Sequence, residues 1–234
     1  KILFFHQIIP FTNLHTMRDI NIVRRSFLQR SLVSAPLFCV PGLMAQALTQ
    51  TPHQTEGPFY PDKFPLDTDN DLIILNDSLT PAIGTIAYLS GKVTDLKGNP
   101  LRNCLVEIWQ VDQNGVYLHS RGGSREKIDS NFQGYGRFLT DAKGNYFFRT
   151  IKPSPYSGRT PHIHMAVSAK GKRRLTTQCY IKGEPRNLKD FILKKIKDRD
   201  ARESLIVPFK PVKSSKIGEV SANFDIVLGW TPEN

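Results

Sequence analysis

From residue 87 to the end, turns cut the chain into pieces mostly too short for helices, and this punctuation limits the possible folds more than any other feature. Asp95-Leu-Lys-Gly-Asn-Pro, Asp112-Gln-Asn-Gly, Asp141-Ala-Lys-Gly-Asn and Lys170-Gly-Lys all carry turn residues. Gly and Asn enter the left-handed backbone region at little cost, and Asp and Asn side chains bond their own backbone. Between the turns, apolar and polar residues alternate. Leu89, Gly91 and Val93 fall on one side of a strand, and Cys104, Val106 and Ile108 on one side of another over 104–110. Residues 137–140 and 146–150 flank the Asp141 turn and read as a hairpin. Residues 162–169 and 174–181 flank Lys170-Gly-Lys as a second hairpin, and 223–228 reads as a final strand. Asn114-Gly115 is a further hairpin signal. Short strands at this spacing predict an all-β sandwich over 87–234.

Two segments depart from that rhythm. Residues 48–86 are rich in Pro, Asp and Thr and read as an extended arm with little regular structure. In 187–203, Leu188, Phe191, Ile192 and Ile196 fall at helical spacing behind Asn187, with lysines mostly opposite. That pattern predicts one amphipathic helix packed on the sandwich, with Asn187 as its cap.

Residues 1–47 have a different character. Arg24-Arg25-Ser-Phe-Leu-Gln resembles a twin-arginine export motif, a weakly apolar run over 31–43 follows, and Ala45-Gln-Ala47 is a small-x-small cleavage site. Together they read as a signal peptide that directs the protein to the periplasm or outside the cell. The apolar run is too short, and too interrupted by Pro36 and Pro41, to span a bilayer, so no membrane span is expected after cleavage. Residues 1–16 precede Met17 and are taken as upstream of the native start. A disordered basic tail is the alternative reading of the segment.

The 234 residues are 39% apolar and 23% charged, as in an ordinary globular domain. Residues 1–47 carry five of the Lys and Arg residues and one Asp, so without them the net charge falls from +11 to +7. That favours small anions near the surface. The basic residues are scattered, the denser stretch at 189–202 reads as a solvated face, and no nucleic-acid motif accompanies them, so no nucleic-acid partner is expected. Cys39 lies in the signal segment. Cys104 and Cys179 lack zinc-site spacing, and whether they pair depends on geometry that the sequence leaves open.

The chemistry centres on Thr160-Pro-His-Ile-His-Met-Ala-Val. In a strand His162 and His164 point the same way, which gives two adjacent imidazoles suited to a transition metal. Tyr117 follows the Asn-Gly turn, Tyr156 ends a Pro-rich turn and Arg159 lies between it and the pair. Phenolate is a hard anionic donor that suits ferric iron. Each residue also has a plainer reading. Tyr117 could be a core tyrosine and Tyr156 could pack on Pro155. The histidines could be a satisfied strand pair, or a zinc or copper clamp of the cupin kind. A cupin usually places an acid three or four residues after the second His, where this chain has Val167 and Ser168.

At these residues the chain resembles the intradiol ring-cleavage dioxygenases, particularly the protocatechuate 3,4-dioxygenase β-subunit type. The resemblance runs from about Thr55 to Gly229. It rests on Thr55-Glu-Gly-Pro-Phe-Tyr-Pro, Leu105-Val-Glu-Ile-Trp-Gln, Asn114-Gly-Val-Tyr, Asn131-Phe132 and Thr150-Ile-Lys-Pro-Ser-Pro-Tyr. Arg159 to His164, Thr176-Thr-Gln and Phe224-Asp-Ile-Val-Leu complete it. It implies a prealbumin-like β-sandwich and an Fe(III) site held by Tyr117, Tyr156, His162 and His164. It also implies catalytic roles for Tyr156, as the base that leaves the metal, and for Arg159 and Gln178 beside it. The expected substrates are a catechol-type small molecule and O2, and the expected product is a cis,cis-muconate-type diacid. The linker 157–161 is shorter than in the protocatechuate enzymes, so the ligand set transfers and substrate specificity does not. A homo-oligomer or partner subunit is left open. Ser90-Gly-Lys-Val-Thr-Asp and Thr140-Asp-Ala-Lys-Gly-Asn-Tyr also resemble transthyretin-like and carboxypeptidase-regulatory-like modules. A non-catalytic binding module of that type is the alternative function, and a degenerate dioxygenase without turnover is a third.

Overall fold

A computed structural model describes residues 48–75 and 78–232. The signal segment, with Arg24, Arg25 and the 45–47 cleavage site, lies outside the described residues.

Among the described residues the strands form two five-stranded sheets. In the first, β1 (Ile86–Asp95) pairs antiparallel with β4 (Asn145–Ile151) along one edge. Its other edge pairs parallel, first with β9 (Val220–Asn223) and then with β10 (Ile226–Leu228), and β9 carries the short β8 (Lys210–Pro211). The second sheet runs β3 (Tyr135–Leu139), β2 (Leu105–Trp109), β5 (His162–Ala169), β6 (Lys172–Ile181) and β7 (Ile206–Val207). Leu89, Val93 and Phe148 of the first sheet share one buried cluster with Val106, Ile108, Ile163, Met165 and Cys179 of the second. The sheets therefore pack face to face, as the alternation of apolar residues requires.

The predicted hairpin at 170–172 forms. Lys170 and Gly171 both have positive φ (50° and 70°), the pattern of a two-residue turn matched to strand twist, and Ala169 pairs with Lys172. The predicted hairpin at 141–145 does not form. β3 pairs with β2 and β4 pairs with β1, so this turn carries the chain from one sheet to the other. Asp141 closes it by accepting from the backbone N–H groups of Lys143 and Asn145. The same turn chemistry serves an arch and a hairpin, and only burial on both sheets separates them. Asn114-Gly115 forms a local turn under Asp112 with no strand after it before β3.

The single helix expected over 187–203 is replaced by three short pieces. These are 3-10 turns at Pro185–Leu188 and Leu193–Lys195 and an α-helix, α1, at Arg199–Ser204, capped by Asp198. Asp190 interrupts the helix because its carboxylate accepts the backbone N–H groups of Ile192 and Leu193. Leu188 and Phe191 consequently lie exposed.

No strand of either sheet falls among the described residues of 48–85, although Asp71 bridges to Arg149. This segment binds the second sheet from outside: Gln54 N–H donates to Thr176 O at 2.8 Å, and Gln178 Nε2 donates to Thr55 O at 3.1 Å.

Candidate functional site

The second sheet has two buried faces. One meets the first sheet. On the other, pairing places Trp109 beside His164, His164 beside Gln178, and His162 beside Tyr180. Because alternate residues share a face, these side chains project together into a second cluster that holds Trp109, Tyr117, Tyr135 and Ala166, with Phe59, Tyr60 and Tyr156 packed on it.

His162 and His164 are almost fully buried, and their Nε2 atoms lie 3.1 Å apart. His162 Nδ1 is 2.7 Å from Thr160 O. A carbonyl can only accept, so the proton sits on Nδ1 and Nε2 keeps its lone pair. Burial, followed by the Arg159 charge, pushes His162 down to about 4. Burial, then His162, then Arg159 push His164 well below its ordinary value. Both imidazoles are neutral at pH 7, the form that binds metals. Trp109 stacks on His164 with centroids 4.9 Å apart and planes 9° apart.

Tyr117 enters from the Asp112 turn. Asp112 Oδ1 accepts from Asn114 and Val116 N–H, and Tyr117 N–H then donates to Gly122 O at 3.1 Å. A Cβ on Gly122 would stand 2.3 Å from Tyr117 O, so only glycine allows this closure. The Tyr117 hydroxyl is buried without a hydrogen-bond partner, and burial raises its pKa well above the usual phenol value. The Tyr156 ring stands perpendicular to it at 4.9 Å and lies 5.5 Å from His162, and Tyr117 lies 6.0 Å from His164. Tyr156 is placed by a tight turn: Ser157 and Gly158 have φ of 42° and 75°, and Arg159 N–H donates to Tyr156 O at 2.7 Å. The short 157–161 linker is thus mostly this turn.

Arg159 is buried. Its Nε donates to Asp190 Oδ2 at 2.6 Å and its Nη2 to Gln178 Oε1 at 2.6 Å. Burial opposes both charges, but the pair holds the Asp190 carboxyl below its ordinary value and Arg159 above. The structure therefore groups all six residues singled out from the sequence: four rings that each touch two of the others, with Arg159 hydrogen-bonded to Gln178 beside them.

Sequence reasoning missed five contributors. Phe59 stacks on Tyr117 at 4.9 Å, and its quoted motif was the available signal. Trp109 and Tyr180 follow from strand pairing, which one strand does not reveal. Glu107 accepts from the hydroxyls of Tyr60 and Tyr135, both at 2.7 Å, and pairs with Arg173. Asp190 was hidden inside the supposed helix. Cys104 and Cys179 are both free and buried.

Among the described residues no group of three or more His, Cys, Asp or Glu converges. A metal at the histidine pair would therefore take further donors from the tyrosines. The partnerless Tyr117 hydroxyl and the two neutral imidazoles fit such a role, and phenolate donors favour a hard, highly charged ion.

A family model described as Dioxygenase matches residues 55–229. The protocatechuate 3,4-dioxygenase beta chain of Burkholderia cepacia is 36% identical over 154 residues, 62% of this chain and 65% of that protein. Hydroxyquinol 1,2-dioxygenase of Corynebacterium glutamicum is 29% identical over 202 residues, 74% of this chain and 61% of that one. The chain thus spans slightly less than two thirds of these relatives' length. Among solved structures, the dioxygenase domain of a dioxygenase carbohydrate-binding protein fusion from Streptomyces sp. SirexAA-E superposes with a TM-score of 0.59 at 31% identity. That match covers 78% of this chain and all of that domain.

Proposed function

The chain belongs to the dioxygenase family whose model covers residues 55–229, and from that premise we propose that it is a non-haem Fe(III) intradiol dioxygenase. It would cleave a catechol-type ring with O2 between the hydroxyl-bearing carbons and yield a cis,cis-muconate-type diacid. One observation carries the reading: Tyr117, Tyr156, His162 and His164 meet in one buried cluster, and the Tyr117 hydroxyl has no protein partner there. A binding module has no use for such a set. The sandwich is assigned to the prealbumin-like type on the same resemblance.

Tyr117, Tyr156, His162 and His164 would hold the iron. When bound, ferric iron supplies Lewis-acid activation of the catecholate toward dioxygen. The chain does the rest. Tyr156, half-buried at the edge of the cluster, would take a hydroxyl proton from the substrate at its Oη. Arg159 offers a fixed positive charge to the oxygens of the ring. Gln178 steadies that guanidinium through Nη2. Gly57, with φ of 73°, sets the arm beside His164, where a Cβ would meet Cε1 at an ordinary contact distance of 3.6 Å.

The purified protein is expected to carry about one ferric ion per chain, absorb visible light through tyrosinate-to-iron charge transfer, and consume O2 with catechol. Recovery of a hydroxymuconic semialdehyde would refute intradiol cleavage. The Arg24-Arg25 segment supports export to the periplasm by the twin-arginine route, which carries proteins already folded and metal-loaded.

A further inference from the structure

We propose that Asp190 is a positioning residue that aims the guanidinium of Arg159 at the bound catechol, an inference that rests on the dioxygenase reading above. Asp190 lies between the two 3-10 turns of the segment after β6, and only 1% of it is exposed. Every hydrogen bond to its carboxylate comes from an N–H. Oδ2 takes Arg159 Nε at 2.6 Å and Thr160 N–H at 3.3 Å. Oδ1 takes Leu193 N–H at 2.9 Å, Ile192 N–H at 3.1 Å and, more weakly, Arg159 Nη2 at 3.4 Å. The backbone N–H groups fix the carboxylate, and the carboxylate fixes the arginine.

A guanidinium is flat and rigid, with five N–H bonds in one plane. Asp190 holds its Nε corner and Gln178 its Nη2 corner. With two corners held, the direction of the third is determined. The bonds to Asp190 and Gln178 use Nε and Nη2 and leave Nη1 to meet a ligand oxygen, where a charge-assisted bond is strong. Gln178 is itself held: its Oε1 accepts from Tyr180 Oη at 2.9 Å and its Nε2 donates to Thr55 O. The arm, β6 and the segment around Asp190 therefore meet on one guanidinium. The Phe191 ring lies 5.5 Å from Arg159 Cζ and shields it further.

The test is a double-mutant cycle on the iron-loaded full chain, with Asp190→Asn, Arg159→Lys and the double variant compared by oxygen uptake with catechol. Asp190→Asn is expected to keep the iron content and resting visible spectrum. It is expected to lose about a hundredfold in kcat, the scale of an ~1 Å misplacement, with a much smaller change in KM. The double variant is expected to be no worse than Arg159→Lys, because Asp190 acts through Arg159. Losses that multiply in the double variant, or a kcat within twofold of wild type in Asp190→Asn, overturn the proposal. If the Asn variant does not fold, Asp190→Ser keeps an acceptor for Leu193 N–H and serves the same comparison. A second arm uses metal-free protein and needs no turnover. The Arg159 Nε–H resonance in nitrogen-15 NMR is expected to be protected from exchange in wild type and exposed in Asp190→Asn, and equal exchange in the two would contradict the proposal. Wild-type protein that neither binds iron nor cleaves catechol would refute the dioxygenase reading, and the NMR arm would still decide whether Asp190 holds Arg159.

Discussion

The conflict between stability and function shows in single residues. A buried phenol without a partner is unfavourable, and Tyr117 Oη is one. Tyr117→Phe removes that group and keeps the ring stacked on Phe59. The metal-free variant is therefore expected to equal or exceed wild type in urea unfolding, by up to ~1–2 kcal/mol, while iron retention falls sharply. A variant that is less stable and still binds iron fully would show that Tyr117 is a core tyrosine and no ligand. The histidines set a pH dependence. His162 is near 4 in the fold and 6.5 unfolded, so the unfolded chain takes up the proton first. The stability of the metal-free protein is then fully present above pH 6.5, declines as pH falls toward 4, and levels off below. The decline from His162 alone is roughly 3 kcal/mol, and His164 adds in the same direction. Denaturation midpoints that stay flat between pH 7 and 4 would contradict this. The two imidazoles were legible in the sequence because strand alternation puts i and i+2 on one face. Asp190 was not, since its partner Arg159 is 31 residues away.

At the scale of elements, the turn at 156–159 joins two candidate functions, because it places Tyr156 and returns Arg159 beside it. Ser157 there has φ of 42°, where a β-branched residue is strongly disfavoured. Ser157→Val is expected to destabilise the protein by ~1–2 kcal/mol and to lower catechol turnover, whereas Ser157→Gly is expected to fold normally. Equal melting temperatures for the Val and Gly variants would mean that the turn is not held this way. Turn positions were readable along the whole chain, but their consequences were not. Lys170-Gly171 makes a hairpin and Asp141–Asn145 an arch, although both carry turn residues between strands. Likewise, helical spacing over 187–203 was real as a pattern. It gave way where the Asp190 carboxylate takes two backbone N–H groups, local side-chain bonding that competes with a continuous helix.

Over the whole molecule, the proposed export would change the net charge. With residues 1–47 removed the chain carries +7, which attracts anionic substrates at a distance and is screened by salt. On the resemblance, the short 157–161 linker is expected to leave less pocket wall, and one missing apolar contact discriminates by only ~1–3 kcal/mol. A panel of catechol, 4-methylcatechol, protocatechuate and hydroxyquinol is thus expected to show specificity constants within about a thousandfold of one another. The value for protocatechuate should fall with added salt while that for catechol stays level. A sharper preference would place specificity in the arm or in a partner subunit. Export is expected to stop when Arg24 and Arg25 are both changed to Lys, and unchanged periplasmic yield would exclude the twin-arginine route.

What the sequence determined by itself was local and periodic: strands β1 to β6, the positions of the turns between them, and the two histidines on one face of β5; β7 to β9 were not read, and the final strand expected over 223–228 is shortened to β10. Resemblance added Tyr117, Tyr156, Arg159 and Gln178. Tertiary structure alone decided which strands pair, that the histidines face away from the inter-sheet core, and that Gly57 meets His164, Phe59 stacks on Tyr117 and Asp190 holds Arg159. The reason is physical. Backbone preferences act over a few residues, whereas pairing and burial are settled by contacts between residues distant along the chain, which no single segment encodes.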